Sequence, residues 1–176
     1  MKAQTHDPAV SLPLVRSEEN EHLTNSPYLS PPIHPTPFHS IERNTMYGQH
    51  ITISGPFNAA VEKVTAALKN EGFGILSDID IQKAMKEKLG VEMPAYRILG
   101  ACNPPLAHRA LQAEPEIGLL LPCNVTVRDG DDGRVNVGFL DPQLMVQLTS
   151  NPEMTSVADE AGERLRRVQT ALTAAT

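Results

Sequence analysis

At 176 residues, with 40% hydrophobic residues and a formal charge of −6, the chain is long enough for one substantial core with residues to spare. Mild acidity and the lack of tryptophan argue against a nucleic-acid partner, which wants a basic face or stacking aromatics. No apolar run approaches the roughly 20 residues that span a bilayer, and Met1 to Asp7 lacks the apolar stretch of a signal peptide, so no membrane partner and a cytoplasmic location are expected.

Residues 1–44 read as a proline-rich, irregular N-terminal arm, extended or disordered. Prolines recur at Pro8, Pro13, Pro27, Pro31, Pro32, Pro35 and Pro37, and apolar residues follow neither the helical nor the strand period. Fixed φ and missing donors favour polyproline II over Tyr28 to Phe38. His34 and His39 have no further ligands clustered near them, so no metal site is expected there.

Residues 45–176 carry the periodic signals of a folded domain. Tyr47, Ile51 and Ile53 alternate with His50 and Thr52, which predicts a half-buried strand. Gly55-Pro56 opens a helix with Phe57, Ala60, Val61, Val64, Ala67 and Leu68 at helical spacing, and Gly72 stops it. A strand with Phe73, Ile75, Ser77 and Ile79 follows. A short helix with Ile81, Met85 and Leu89, ended by Gly90, leads to a third strand from Tyr96 to Ala101.

A second short helix is predicted from Pro104 or Pro105 to about Gln112. The next strand is predicted to run from Ile117 to Val127. Ile117, Leu119, Leu121, Cys123, Val125 and Val127 lie on one face and Asn124, Thr126 and Arg128 on the other. Asp129-Gly130-Asp131-Asp132-Gly133 is turn chemistry, returning the chain into Val135, Val137 and Phe139 as a hairpin. Asn151-Pro152-Glu153 caps a last helix whose Met154, Val157, Ala158, Ala161, Leu165, Val168 and Leu172 line one face. Glu160 with Arg164 and Glu163 with Arg167 are spaced as i,i+4 ion pairs. The order predicts an α+β fold: an antiparallel-rich mixed sheet with two long helices on one face and a groove at the helix–sheet rim.

The two cysteines sit in mirrored settings, Cys102-Asn103-Pro104 and Pro122-Cys123-Asn124. In a reducing compartment both are expected as thiols. Cys102 stands just before a helix N-terminus, which favours a thiolate, and His108 one turn on is a candidate base. Cys123 falls on an apolar stripe, where a cysteine acts as a small hydrophobe. Asp78 and Asp80, two apart on a strand and so roughly 7 Å apart on one face, suit a hard cation or acid–base work. The plainer reading has Asp80 capping the helix at Ile81 and Asp78 solvated. His50 is a candidate ligand for a metal or a haem iron, or a half-exposed strand residue.

Gly72-Phe73-Gly74-Ile75-Leu76 leading to Asp78-Ile79-Asp80, Tyr96 to Pro104, and Ile117 to Val125 together resemble a bacterial and archaeal family, DUF 302, a domain of unknown function; the Leu140-Asp141-Pro142 step before a helix also resembles it. The resemblance covers the domain from about Met46 to Thr176 but not the arm. It implies a fold of the TATA-binding-protein-like class and a tendency to form a homodimer, and it brings no established reaction. Some relatives look like haem-binding proteins, for which His50 and His108 are the candidates inside the domain.

Three readings follow. The first is a ligand- or cofactor-binding protein for a small molecule or haem, with Cys102, Asn103, Cys123, His50 and His108 as binding candidates. The second is a thiol-dependent enzyme or redox protein using Cys102, with Cys123 as partner. The third is a structural or interaction module with a docking arm.

Overall fold

The computed structural model describes residues 47–130, 132–149 and 151–174; the N-terminal arm and Asp131 of the hairpin turn lie outside them. Five strands, β1 (Gly48–Ser54), β2 (Gly74–Asp80), β3 (Tyr96–Cys102), β4 (Cys123–Asp129) and β5 (Arg134–Leu140), form one sheet in the order β1-β5-β4-β3-β2. All neighbouring pairs are antiparallel. The helices are α1 (Phe57–Asn70), α2 (Ile81–Leu89), α3 (Pro104–Ala113), α4 (Gln143–Thr149) and α5 (Glu153–Ala174). The fold is α+β, as the alternating periods predict.

Strand alternation divides the sheet into two unlike faces. Ile53, Leu99, Ala101, Cys123, Val125, Val127, Val135, Val137 and Phe139 are all buried and share the inner face. Against it pack Ala60, Val64 and Leu68 of α1, spaced by four residues, and Leu165, Val168 and Leu172 of α5. The N-terminal half of α5 contributes Met154, Val157 and Ala161 to a second cluster with Leu106 and Ala110 of α3, Ile117, Cys123 and Met145 of α4. Thus α5 is the common wall of both clusters. The alternate strand positions, apart from the buried Gly48, Gly100 and Gly138, form an outer face that is half-buried or exposed and includes His50, Thr52, Tyr96, Ile98, Thr126, Arg128 and Asn136.

Local chemistry sets the boundaries. Gly72 stands at φ +82° after α1 and Gly90 at φ +67° after α2, a left-handed region that other residues enter at a cost. Asp80 caps α2, its Oδ1 accepting from the Lys83 N–H at 2.9 Å. Asn151 accepts from the Glu153 N–H at 3.0 Å, and its Nδ2 donates to the Ala113 carbonyl at 3.1 Å, which fixes the start of α5 against the end of α3.

Two predicted details are corrected. Tyr47 is 69% exposed and precedes β1, so it does not share the face of Ile53. The segment from Ile117 to Leu121 is not strand: Pro115–Leu120 is a 3-10 turn, and β4 starts only at Cys123. The apolar alternation there is met otherwise, with Ile117 buried and Leu119 83% exposed. Pro122 has no N–H to give to a ladder, so pairing begins after it. Among the described residues, no helix is long and apolar enough to cross a membrane.

Leu68 is fully buried between α1 and the sheet. Leu68→Ala is expected to lower stability by about 2–5 kcal/mol in urea denaturation, through lost transfer energy and an unfilled cavity.

Candidate functional site

Cys102 is the last residue of β3 and Asn103 the N-cap of α3, so this candidate pair sits where a strand hands over to a helix. The Asn103 carboxamide is buried and bonded through both its oxygen and its nitrogen. Its Oδ1 accepts from the Leu106 N–H at 3.3 Å, and its Nδ2 donates to the Gly72 carbonyl at 3.1 Å. A side chain at Gly72 would put Cβ 3.0 Å from that Nδ2, so the turn after α1 needs glycine for both its φ and its clearance. Asn103 therefore joins two chain reversals.

The thiols differ. Cys102 is half-buried, and burial pushes its pKa above the ordinary thiol value, the direction opposite to that of an activated nucleophile. Cys123 is buried, and its pKa is pushed up to about 11 by that burial and then by the charge of Cys102 nearby. In the β3–β4 register Cys123 pairs with Ala101, not Cys102. The two cysteines are thus one residue out of register, and alternation sends them to opposite faces.

The histidines are not brought together. His108 is exposed on α3, away from the buried Leu106 and Ala110. His50 lies on the outer face of β1, opposite Gly138 of β5. A Cβ at Gly138 would fall 2.7 Å from Thr126 Oγ1 and 2.8 Å from His50 Nδ1, so the glycine lets both side chains close over β5. Burial, and then the positive charge of Arg128, hold the His50 imidazole below its ordinary pKa, which leaves it neutral at pH 7. Neither imidazole lines either of the two clefts described below. Among the described residues, no group of three or more His, Cys, Asp or Glu could hold a metal ion.

Sequence spacing misses the row that crosses the outer face. The registers align Thr52, Asn136, Arg128 and Tyr96 as successive partners on β1, β5, β4 and β3. Thr52 Oγ1 donates to Asn136 Oδ1 at 3.1 Å, which leaves the Asn136 amide N–H groups as donors. His50, Gly138, Thr126 and Ile98 form the adjacent row. Alternation along β4 did place Thr126 and Arg128 away from the core, but which residues flank them depends on register.

Two shallow grooves open in the helix–sheet layer. One, of about 360 Å³, is lined by Arg109, Gln112, Glu153 and Ser156 of α3 and α5. The other, of about 300 Å³, lies between the starts of α1 and β3 and includes Phe57, Asp80, Gln82, Tyr96 and Arg97. Neither is lined by Cys102, Asn103, Cys123, His50 or His108. The acidic pair is explained by its partners: Asp80 caps α2, and Asp78 accepts from Arg97 at 2.9 Å. Of the predicted helical ion pairs, Glu160–Arg164 forms at 2.9 Å, while Arg167 reaches Glu71 at 2.9 Å instead of Glu163.

The model of a family described as "Domain of unknown function DUF302" matches residues 49–172. A crystal structure of an uncharacterized conserved protein DUF302 from Bacillus stearothermophilus superposes with a TM-score of 0.66 and 27% sequence identity. That likeness covers 73% of this chain and 99% of the other. No curated protein matches the chain.

Asn103→Ala should remove the α3 cap and strand the Gly72 turn, lowering stability by about 1–3 kcal/mol in urea denaturation. Iodoacetamide should modify Cys102 in the folded protein more slowly than a free thiol at neutral pH, with the rate climbing under alkaline conditions, and should reach Cys123 only on unfolding. Because the Cys123 pKa rises from 9.0 to about 11 on folding, its contribution to stability is complete below pH 9 and is lost as pH climbs through about 11. A melting series across that range on wild type and Cys123→Ala isolates it.

Proposed function

The chain belongs to the DUF302 family, and from that premise we propose that it is a binding protein that holds a small anionic molecule on the outer face of its sheet. The observation that carries this reading is the cross-strand row Thr52–Asn136–Arg128–Tyr96. Arg128 lies in its middle, where a guanidinium offers paired donors to a carboxylate or phosphate. Asn136 adds amide donors on one side and Tyr96 a phenol on the other.

Electrostatics supports the same ligand class. The whole chain carries −6, yet the outward-facing positions of β1, β3, β4 and β5 hold no Asp or Glu. Those outward-facing positions include Arg128, while Arg134 is paired with Asp132 at the hairpin and most of the protein repels an anion. Beside the row, neutral His50 and Thr126 supply hydrogen-bonding groups that need no charge to be displaced. The row lies about 20 Å along β3 from Cys102, so the reading is one of binding rather than thiol chemistry. The burial-raised pKa of Cys102 supports that separation. We place the protein in the cytoplasm, where two unpaired thiols persist.

The test is calorimetric titration of citrate and inorganic phosphate into the full chain at constant ionic strength. Wild type should bind at least one of them, Arg128→Gln should weaken that binding by about tenfold or more, and Arg128→Lys should recover part of it. Equal binding by wild type and Arg128→Gln, or none by wild type, would remove the proposal.

A further inference from the structure

The groove between the starts of α1 and β3 is separate from the outer-face row in its charged groups and calls for a different ligand. Its polar centre is Arg97, held on one side by a 2.9 Å hydrogen bond from Nη1 to Asp78 Oδ1. On its other side Nε stands 3.8 Å from Asp80 Oδ2, too far for a hydrogen bond. The other Asp80 oxygen is committed to the Lys83 N–H. Arg97 Nε and Asp80 Oδ2 thus form an ion pair with a 3.8 Å gap and no direct hydrogen bond, with Arg97 30% and Asp80 37% exposed. Gln82 is likewise pinned, its Nε2 donating to the Met93 carbonyl at 2.7 Å, so its amide oxygen remains the acceptor.

We infer that this groove binds a neutral planar ring carrying an amide edge, its carbonyl accepting from Arg97 and its N–H donating to Asp80. A neighbouring acceptor and donor on one rigid edge is the pattern that spans such a gap. Phe57 supplies an apolar wall against which a flat ring packs. The volume of about 300 Å³ is the lower end for small-molecule sites and suits a single ring system. An anion is disfavoured because Asp78 and Asp80 outnumber Arg97. A bulky cation would have to displace Arg97 from Asp78.

Uracil, which carries amide edges, and 1,3-dimethyluracil, which keeps the ring and carbonyls but has no N–H, are the probes for ligand-observed NMR and calorimetry on the full chain. Uracil should bind, and the dimethyl ring should bind about tenfold more weakly or worse. Asp80→Asn keeps an N-cap of similar strength. With its oxygen on Lys83, however, it turns a donor toward the gap, so uracil affinity should fall about tenfold while the melting temperature holds. Arg97→Gln, monitored for folding by circular dichroism, should act in the same direction, and Arg128→Gln should leave uracil binding unchanged. Absence of uracil binding at millimolar concentration overturns the inference, as does equal affinity for the two rings or an unaffected Asp80→Asn. Loss of uracil binding in Arg128→Gln would move the ring to the outer face and overturn it too.

Discussion

The carboxamide of Asn103 is the interaction on which the arrangement of elements depends. It is the one polar side chain in the buried class among the described residues, and a buried amide is tolerated only when its donors and acceptor are matched. Its oxygen closes the first turn of α3 and its nitrogen holds the Gly72 carbonyl, so the β3–α3 and α1–β2 reversals are fixed to each other. Arg164 of α5 adds a third element by donating to the Glu71 carbonyl at 3.1 Å and to Glu160 at 2.9 Å. Arg109 of α3 reaches the other oxygen of Glu160 at 2.9 Å. Hydrogen bonds from Arg164 and then Arg109 hold the Glu160 carboxyl below its ordinary pKa. Individually such partly exposed pairs contribute little. What they add is placement: Arg164 ties α5 to the turn after α1, and Arg109 ties α3 to α5 through Glu160.

That junction leaves the sheet one-sided. With the reversals fixed, α1 and α5 lie over the inner face, and the full length of α5 serves two apolar clusters in succession. Hydrophobic burial is non-directional and does not require a second helical layer once one face is closed. The outer face is therefore free to carry polar side chains. Its glycines are where it is most tightly built. A Cβ at Gly138 would meet Thr126 and His50, and one at Gly100 would meet Ser77 Oγ and Pro122. Each glycine is a low point over which neighbouring side chains fold, so polar groups cluster without forming a deep cavity.

Legibility in the sequence followed the reach of the signal. Period-two and period-3.6 patterns are local, and they placed α1, α2, α3, α5 and most of the five strands, with caps at Asp80 and Asn151 read from single residues. Ile117 to Leu121 misled because alternating apolar residues satisfy a 3-10 turn as well as a strand, and Pro122 outweighed the alternation. The pairing of Arg167 with Glu71 was invisible because a residue at the end of α1, far away in sequence, outcompeted the helical neighbour Glu163. The outer-face row was hidden for the same reason. Thr52, Asn136, Arg128 and Tyr96 come from four strands, and only the registers bring them into line.

The mirrored cysteine settings illustrate how similar words acquire unlike roles. In Cys102-Asn103-Pro104 the asparagine caps a helix whose first residue is the proline, so the triplet describes a strand-to-helix transition. In Pro122-Cys123-Asn124 the proline precedes a strand, the cysteine points into the core and the asparagine is exposed, so the triplet describes the entry into β4. A disulfide needs Cβ atoms directed toward one another at about 3.8 Å. Residues one step out of register on adjacent strands direct them to opposite faces, so bridging Cys102 and Cys123 would require the end of β3 to rotate. That rotation would carry Asn103 away from Gly72 and break the junction that positions α1, α3 and α5. The fold thus keeps the two thiols apart for the same reason that it holds together, and both triplets are first of all statements about chain reversal and strand entry.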